Sequence, residues 1–371
     1  MKITKLETFF VKPRWLFLKV HTDEGIVGLG EPIVEGRVQT VAAAVHEIGR
    51  YLIGLDPRRI EHHWQAIYRG QFYRGGPVLT SALSGVEHAL WDIVGKWLGQ
   101  PIYQLMGGAV RDKIRMYGWI HGDSYGEYID SAKVGVNEGF TAFKVGVPGP
   151  VNIVDTQKVV EDVVEMFAQI RGAVGSNVQV GIDFHGRVSP AMSIRLAKAL
   201  EPYYPMFIEE PVLPENVDML ALVARSTTIP IATGERLFTK WAFREVLEKQ
   251  AAAVLQPDLS HAGGIFECKK IAAMAEAYYA AIAPHCPLGP IALAASLQLD
   301  ACIPNFLCQE HVTLGEGYIK QPFKVENGFI PVPTAPGLGI ELDEEALADK
   351  YDDGTWGTPQ LRHEDGSVAD W

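Results

Sequence analysis

From about residue 113 onward, eight short apolar runs alternate with longer stretches of helical periodicity, and this alternation limits the fold more than any other feature of the chain. The runs cover residues 114–119, 142–145, 178–184, 206–209, 229–235, 252–257, 280–285 and 305–310. Helical stretches such as 153–174, 192–200 and 264–279 lie between them. A run read as a strand, then a crossover helix, then another strand builds a parallel sheet, and eight such units close into a (β/α)8 barrel. An open doubly wound sheet is the alternative. That fold usually carries a glycine-rich phosphate turn near its first strand, and the chain has neither a G-x-G-x-x-G turn nor a P-loop. The expected fold is therefore α/β, a TIM barrel over residues 113–315.

The preceding residues follow another pattern. Residues 2–11 alternate weakly, residues 15–22 read WLFLKVHT, Asp23-Glu24-Gly25 signals a turn, and residues 26–31 form a returning strand. Three helical stretches follow. In the third, Ala82, Leu83, Val86, Ala89, Leu90, Ile93, Val94 and Trp97 recur at three-to-four-residue spacing and define one buried face, which Gly99 and Pro101 end. Strands followed by helices predict an α+β capping domain over residues 1–112. Residues 316–371, rich in proline, glycine and acids, are expected to return to that domain. A typical barrel uses ~250 residues. The capping domain and the tail account for the rest of the 371.

Charge and cysteine content exclude several classes. The 33 Lys and Arg against 45 Asp and Glu leave a net charge of −12, which disfavours nucleic acid as a partner. Cys268, Cys286, Cys302 and Cys308 lack zinc-type spacing and read as buried thiols of a cytoplasmic protein. There is no secretory h-region and no long uncharged apolar run, so no membrane partner is expected.

The chemistry lies at the strand ends. The third run ends Gly181-Ile182-Asp183-Phe184-His185, the fourth Ile208-Glu209-Glu210-Pro211, and the fifth Thr233-Gly234-Glu235-Arg236. Asp183 to Glu209 is 26 residues, and Glu209 to Glu235 is again 26, the length of one βα unit. A single acid at a strand end is ordinarily a solvated loop residue or a helix N-cap. Three at successive barrel mouths converge on one point, where they repel one another unless a cation neutralises them. All-oxygen ligands select a hard divalent ion, with Mg2+ the default, one per subunit. His185 is two residues past Asp183, so both would enter the barrel mouth, which makes His185 an acid–base candidate beside a metal ligand. Asp258, on the sixth strand, and His285, on the seventh, are again one βα unit apart at 27 residues. A carboxylate on one ring nitrogen fixes the tautomer and raises the basicity of the other. Glu310 ends the eighth strand and could hydrogen-bond a substrate oxygen. Lys144 ends the second and could neutralise a substrate carboxylate. Arg14 and Trp15 could belong to a lid.

Together these residues resemble the enolase superfamily in its mandelate racemase branch. By that resemblance Asp183, Glu209 and Glu235 hold Mg2+, Asp258 and His285 form the dyad, and Glu310 is the eighth-strand electrophile. One departure is that the second strand reads Lys144-Val145-Gly146, without the Lys-x-Lys base of other members. The stretches DFHGR (183–187), LQPDLSHAGG (255–264), APHCPLGPIALAA (283–295) and RHEDGSVADW (362–371) are similar to the acid-sugar dehydratases, most closely those acting on D-galactonate. The resemblance implies that His285 removes the C2 proton, His185 protonates the departing C3 hydroxyl, and Mg2+ stabilises the enediolate. It also implies a small acid sugar as partner and an assembly of several copies. Gly146 and residues 147–155 diverge locally, which leaves the sugar open. Gluconate, arabinonate, an epimerase activity and a silent sugar-acid-binding barrel remain as alternatives.

Overall fold

The computed structural model describes residues 1–371. The chain opens with an antiparallel meander of β1 (Ile3–Val11), β2 (Trp15–Thr22) and β3 (Val27–Gly30), in which Val11 faces Trp15 and Leu18 faces Gly30. Three helices cover it: α1 (Val38–Leu52), α2 (Ile60–Arg69) and α3 (Pro77–Leu98). Proline in the first turn starts α3, and Gly99 in the left-handed region ends it, where glycine carries no Cβ penalty. This helix crosses β3 backbone against backbone. A Cβ at Gly28 would lie 2.1 Å from the Ala89 carbonyl oxygen, and one at Gly30 would lie 1.9 Å from that of Gly85. Only glycine permits that approach. The apolar face expected for α3 is buried from Ala82 to Val94, but Trp97 at its end is exposed; Ser81, Ser84, Glu87, His88 and Asp92 on its other sides are buried too.

After α4 (Ile102–Leu105) and a short β4 (Lys113–Arg115), the parallel strands begin. They are β5 (Gly118–Trp119), β6 (Ala142–Gly146), β7 (Gln179–Asp183), β8 (Ile208–Glu209), β9 (Ile231–Thr233), β10 (Val254–Leu255) and β11 (Ala281–Ile282). Each lies beside its neighbour in sequence. An order with no reversal excludes the doubly wound alternative, which needs a switch point. The intervening helices are α5 (Tyr125–Asn137), α6 (Gln157–Val174), α7 (Pro190–Leu200), α8 (Val217–Arg225), α9 (Thr239–Glu248), α10 (Ile265–Ala277) and α11 (Pro290–Cys302).

Two expected strands take a different form. Residues 114–119 divide, because β4 pairs antiparallel with β12 (Phe329–Pro331) and only β5 joins the barrel. Residues 305–310 are an extended segment held by isolated parallel bridges, Ile282 to Phe306 and Met116 to Gln309. These bridges connect the last strand of the sheet to the start of the first, so the barrel closes with its eighth position barely regular. The four cysteines are free and buried. In the tail, which includes α12 (Glu344–Leu347), Lys12 N–H donates to the Lys350 carbonyl, Asp352 N–H donates to that of Phe10, and Lys19 pairs with Glu344. No helix is long and apolar enough to cross a membrane.

Candidate active site

The C-terminal ends of the barrel strands open into a cavity of about 310 Å³, roofed in part by Arg14, Glu35 and Pro77 of the N-terminal region. Asp183 is the last residue of β7 and sits in register with Glu209 of β8, while Glu235 follows β9 by two residues. One oxygen from each lies within 4.8 Å of the others. Burial, compounded by neighbouring carboxylates, holds Glu209 well above the ordinary carboxylate range and pushes Glu235 up to about 7. The Lys144 ammonium enters the cluster from β6, 2.6 Å from Glu209, 3.1 Å from Glu310 and 3.5 Å from Asp183. Gln256 donates to the other Glu209 oxygen at 2.7 Å. One lysine cannot balance four crowded carboxylates. A hard divalent cation fits this donor set, with Asp183, Glu209 and Glu235 as the residues that could hold it.

The two histidines line the same cavity with opposite wiring. His285 faces Asp258 Oδ2 through Nδ1 at 2.8 Å, which puts the proton on Nδ1 and leaves Nε2 as the basic nitrogen. Burial pulls its pKa down. The carboxylates of Glu235, Glu310 and Asp258 more than offset that, and the ring sits well above the ordinary histidine value. His185 faces Arg187, whose Nη2 lies 3.3 Å from Nδ1. A guanidinium only donates, so Nδ1 accepts and the neutral ring carries its proton on Nε2. Burial first, then Arg187, Arg236 and Lys144, lower its pKa, with Asp183 opposing. A ring held this way gives up a proton more readily than one held by a carboxylate. His185 also has φ of 55°, an uncommon value away from glycine, and its N–H donates to Asp183 Oδ1 at 2.7 Å. That turn carries the ring from the strand end into the mouth.

Glu310 lines the same cavity from the end of the eighth segment, the place the resemblance implied. Its Oε1 accepts from Trp119 Nε1 at 2.9 Å and from Lys144 at 3.1 Å, and its Oε2 accepts from the Cys286 N–H at 2.8 Å. Burial alone would raise its pKa, but Lys144 and His285 override that and bring it to about 2. Lys144 is fully buried between Glu209 and Glu310, and it still lines the cavity. Arg14 lines it too, donating to the Pro287 carbonyl at 3.1 Å. Trp15 does not. It is 4% exposed at the start of β2, with its ring edge-on to Tyr318 at 4.8 Å, whereas Arg14 stands in the turn before that strand.

Several residues that the sequence did not single out complete the site. Arg187 orients His185. Arg236 lines the cavity and donates to the buried Glu210 at 2.5 Å. These two follow Glu235 and Glu209 by one residue each, so the same 26-residue spacing carried a readable signal. His261 accepts or donates at Ser81 Oγ across the cap–barrel boundary, at 2.9 Å. Trp371 stands edge-on to the His185 ring at 5.5 Å, and no periodicity in the tail announces it. At Gly146, where other members carry a base, a Cβ would meet nothing within 4 Å.

Fold and site together define a capped (β/α)8 barrel with an acid–base site and a carboxylate cluster at its mouth. Residues 7–107 match the mandelate racemase / muconate lactonizing enzyme N-terminal domain, and residues 127–346 match the enolase C-terminal domain-like family. The chain belongs to the mandelate racemase / muconate lactonizing enzyme family of the enolase superfamily. It is 53% identical to a D-galactonate dehydratase of Cronobacter sakazakii and 51% identical to one of Ralstonia nicotianae, in both cases over the whole of both chains. Among solved structures, a mandelate racemase/muconate lactonizing enzyme from Sulfitobacter sp. superposes with a TM-score of 0.93 at 38% identity, covering all of both chains. A related protein from Burkholderia SAR-1 gives 0.91 at 36% identity, over 97% of this chain and 96% of that one.

Proposed function

We propose that the protein is a Mg2+-dependent hydro-lyase that converts D-galactonate to 2-dehydro-3-deoxy-D-galactonate. The observation that carries this is the opposite wiring of His185 and His285 beside one carboxylate cluster. The full-length relatives named for that activity supply the substrate. Mg2+ held by Asp183, Glu209 and Glu235 would supply positive charge at the substrate carboxylate and so acidify the neighbouring C–H. Lys144, anchored by Glu209 and Glu310, directs an ammonium N–H at the same region. His285 Nε2 takes the C2 proton while Asp258 stabilises the resulting imidazolium. The C3–O bond breaks, His185 in its imidazolium form gives a proton to the departing hydroxyl and returns to the neutral ring, and water leaves. The enol left between C2 and C3 tautomerises to the 2-keto acid. With no basic side chain at Gly146, one base acts on C2, which suits elimination rather than racemisation. Action in the cytoplasm on a freely diffusing acid sugar, by an assembly of several copies, completes the reading.

The test is a panel of D-galactonate, D-gluconate and D-arabinonate with Mg2+, reading 2-keto product. Galactonate is expected to turn over fastest, with activity lost in EDTA and restored by Mg2+. Absence of keto product from every member, or full activity in EDTA, overturns the reading.

A further inference from the structure

Two buried acids of the N-terminal region reach into the barrel and end on the helices that follow the dyad strands. Glu31, just past β3, accepts from the Gly289 N–H at 2.7 Å and the Ala292 N–H at 2.9 Å. Those donors open α11, four residues past His285. Glu87, on α3, accepts from the Ile265 N–H at 2.8 Å and the Phe266 N–H at 2.9 Å. Those donors open α10, the helix after Asp258. Both carboxylates are at most 2% exposed.

These two helices differ from others in the barrel. Ser124, Ser189 and Asn216 cap α5, α7 and α8 with their own side chains. Before α10 and α11 the capping position is Gly264 or Gly289, neither with a side chain to offer. A Cβ at Gly264 would lie 2.3 Å from Glu87 Oε2, and one at Gly289 would lie 2.5 Å from Glu31 Oε1. The space a self-cap would occupy is filled by a carboxylate from another part of the fold. A carboxyl oxygen there satisfies two orphan N–H groups at each helix start.

The same face of α3 holds the rest of the loop from Asp258 to α10. Ser84 Oγ accepts from the Gly263 N–H at 2.9 Å, and His88 Nε2 donates to the Leu259 carbonyl at 2.9 Å. From α2, Trp64 donates to the Gly263 carbonyl at 2.8 Å. Asp258 and His285 are thus each followed by a segment whose position is set outside the barrel.

We infer that Glu31 and Glu87 are positioning residues for catalysis: by capping α11 and α10 they hold the strand ends at the spacing that makes the Asp258–His285 hydrogen bond. This rests on the reading of His285 as the base, and it extends that reading to residues that touch no substrate. A misplacement of about 1 Å at a reacting group costs on the order of 100-fold, so partial loss of a cap should appear in kcat rather than in KM.

The experiment compares Glu31→Gln and Glu87→Gln with Asp92→Asn, and adds the milder Ser84→Ala. Asp92 is an equally buried acid of α3, but it accepts from Leu29 and Leu338 and touches neither dyad helix. Melting temperature, kcat and KM on D-galactonate with Mg2+, C2 proton exchange in D2O, and the downfield proton signal of the His285 Nδ1–H are read. Glu31→Gln and Glu87→Gln are expected to lower kcat and exchange about tenfold or more. KM should stay within about twofold of wild type, and the downfield signal should broaden or shift. Ser84→Ala should do the same more weakly, which keeps the test open if an acid variant fails to fold. Asp92→Asn should lower the melting temperature and leave kcat and the signal as in wild type. Glu31→Gln and Glu87→Gln variants with wild-type kcat and signal, or an Asp92→Asn variant with the same kcat loss, overturn the inference. If wild type neither dehydrates nor exchanges, the functional reading fails, and an unchanged proton signal in the variants then sinks the positioning role as well.

Discussion

His185 stands two residues past β7 with Arg187 against its Nδ1, and His285 stands three residues past β11 with Asp258 against the same atom. The side chain is identical, both rings line one cavity, and burial presses both pKa values down. What differs is the sign of the neighbour. The guanidinium leaves His185 lowered and its Nδ1 an acceptor, while the carboxylates leave His285 raised and its Nδ1 a donor. Residue type placed two histidines near the cavity, and the partner on Nδ1 decides which nitrogen of each neutral ring carries the proton.

That contrast breaks in a definite order. The largest effect is expected from His285→Asn, which should lower both dehydration and C2 proton exchange by about 10⁴-fold, the upper end for a general base. Retained exchange in that variant would remove His285 from the C2 step. Next, His185→Asn should lower dehydration by about 10²–10⁴-fold while C2 exchange persists, because the proton still leaves but the hydroxyl does not. Parallel loss of exchange and dehydration, measured by NMR in D2O, would make His185 part of the C2 step instead. The smallest effect should come from Arg187→Leu. It frees His185 Nδ1 and mixes the tautomers, lowering dehydration by about tenfold and leaving exchange unchanged. A wild-type dehydration rate there would show that another group sets the His185 tautomer.

The parts legible in the sequence are those that repeat. Asp183, Glu209 and Glu235 recur at 26 residues because one strand, one crossover and one helix take that length. The structure brings their oxygens within 4.8 Å. Asp258 and His285 follow the same rule and meet at 2.8 Å. The register broke down where strands stop being regular. Residues 114–119 divide because β4 pairs with β12 of the tail, and residues 305–310 close the barrel through single bridges to Ile282 and Met116. Trp15 misled because it neighbours Arg14 in sequence, but Arg14 stands in the turn before β2 and lines the cavity while Trp15 begins the strand and packs into the cap.

By itself, then, the sequence determined which strands line up and which side chains meet at their ends, Asp183 with Glu209 and Glu235, and Asp258 with His285. Backbone geometry makes strand alternation and βα spacing local properties, readable without knowing what packs where. The tertiary structure alone decided the charge states and the supports. Lys144 locks Glu310 into the ionised form, Arg187 sets the His185 tautomer, Glu31 and Glu87 cap the helices behind the dyad, and Trp371 closes on His185 from the far end of the chain. A proton's position depends on the sign and distance of whatever folds against it. For Glu31 and Ala292 that partner lies 261 residues away, beyond the reach of any local pattern.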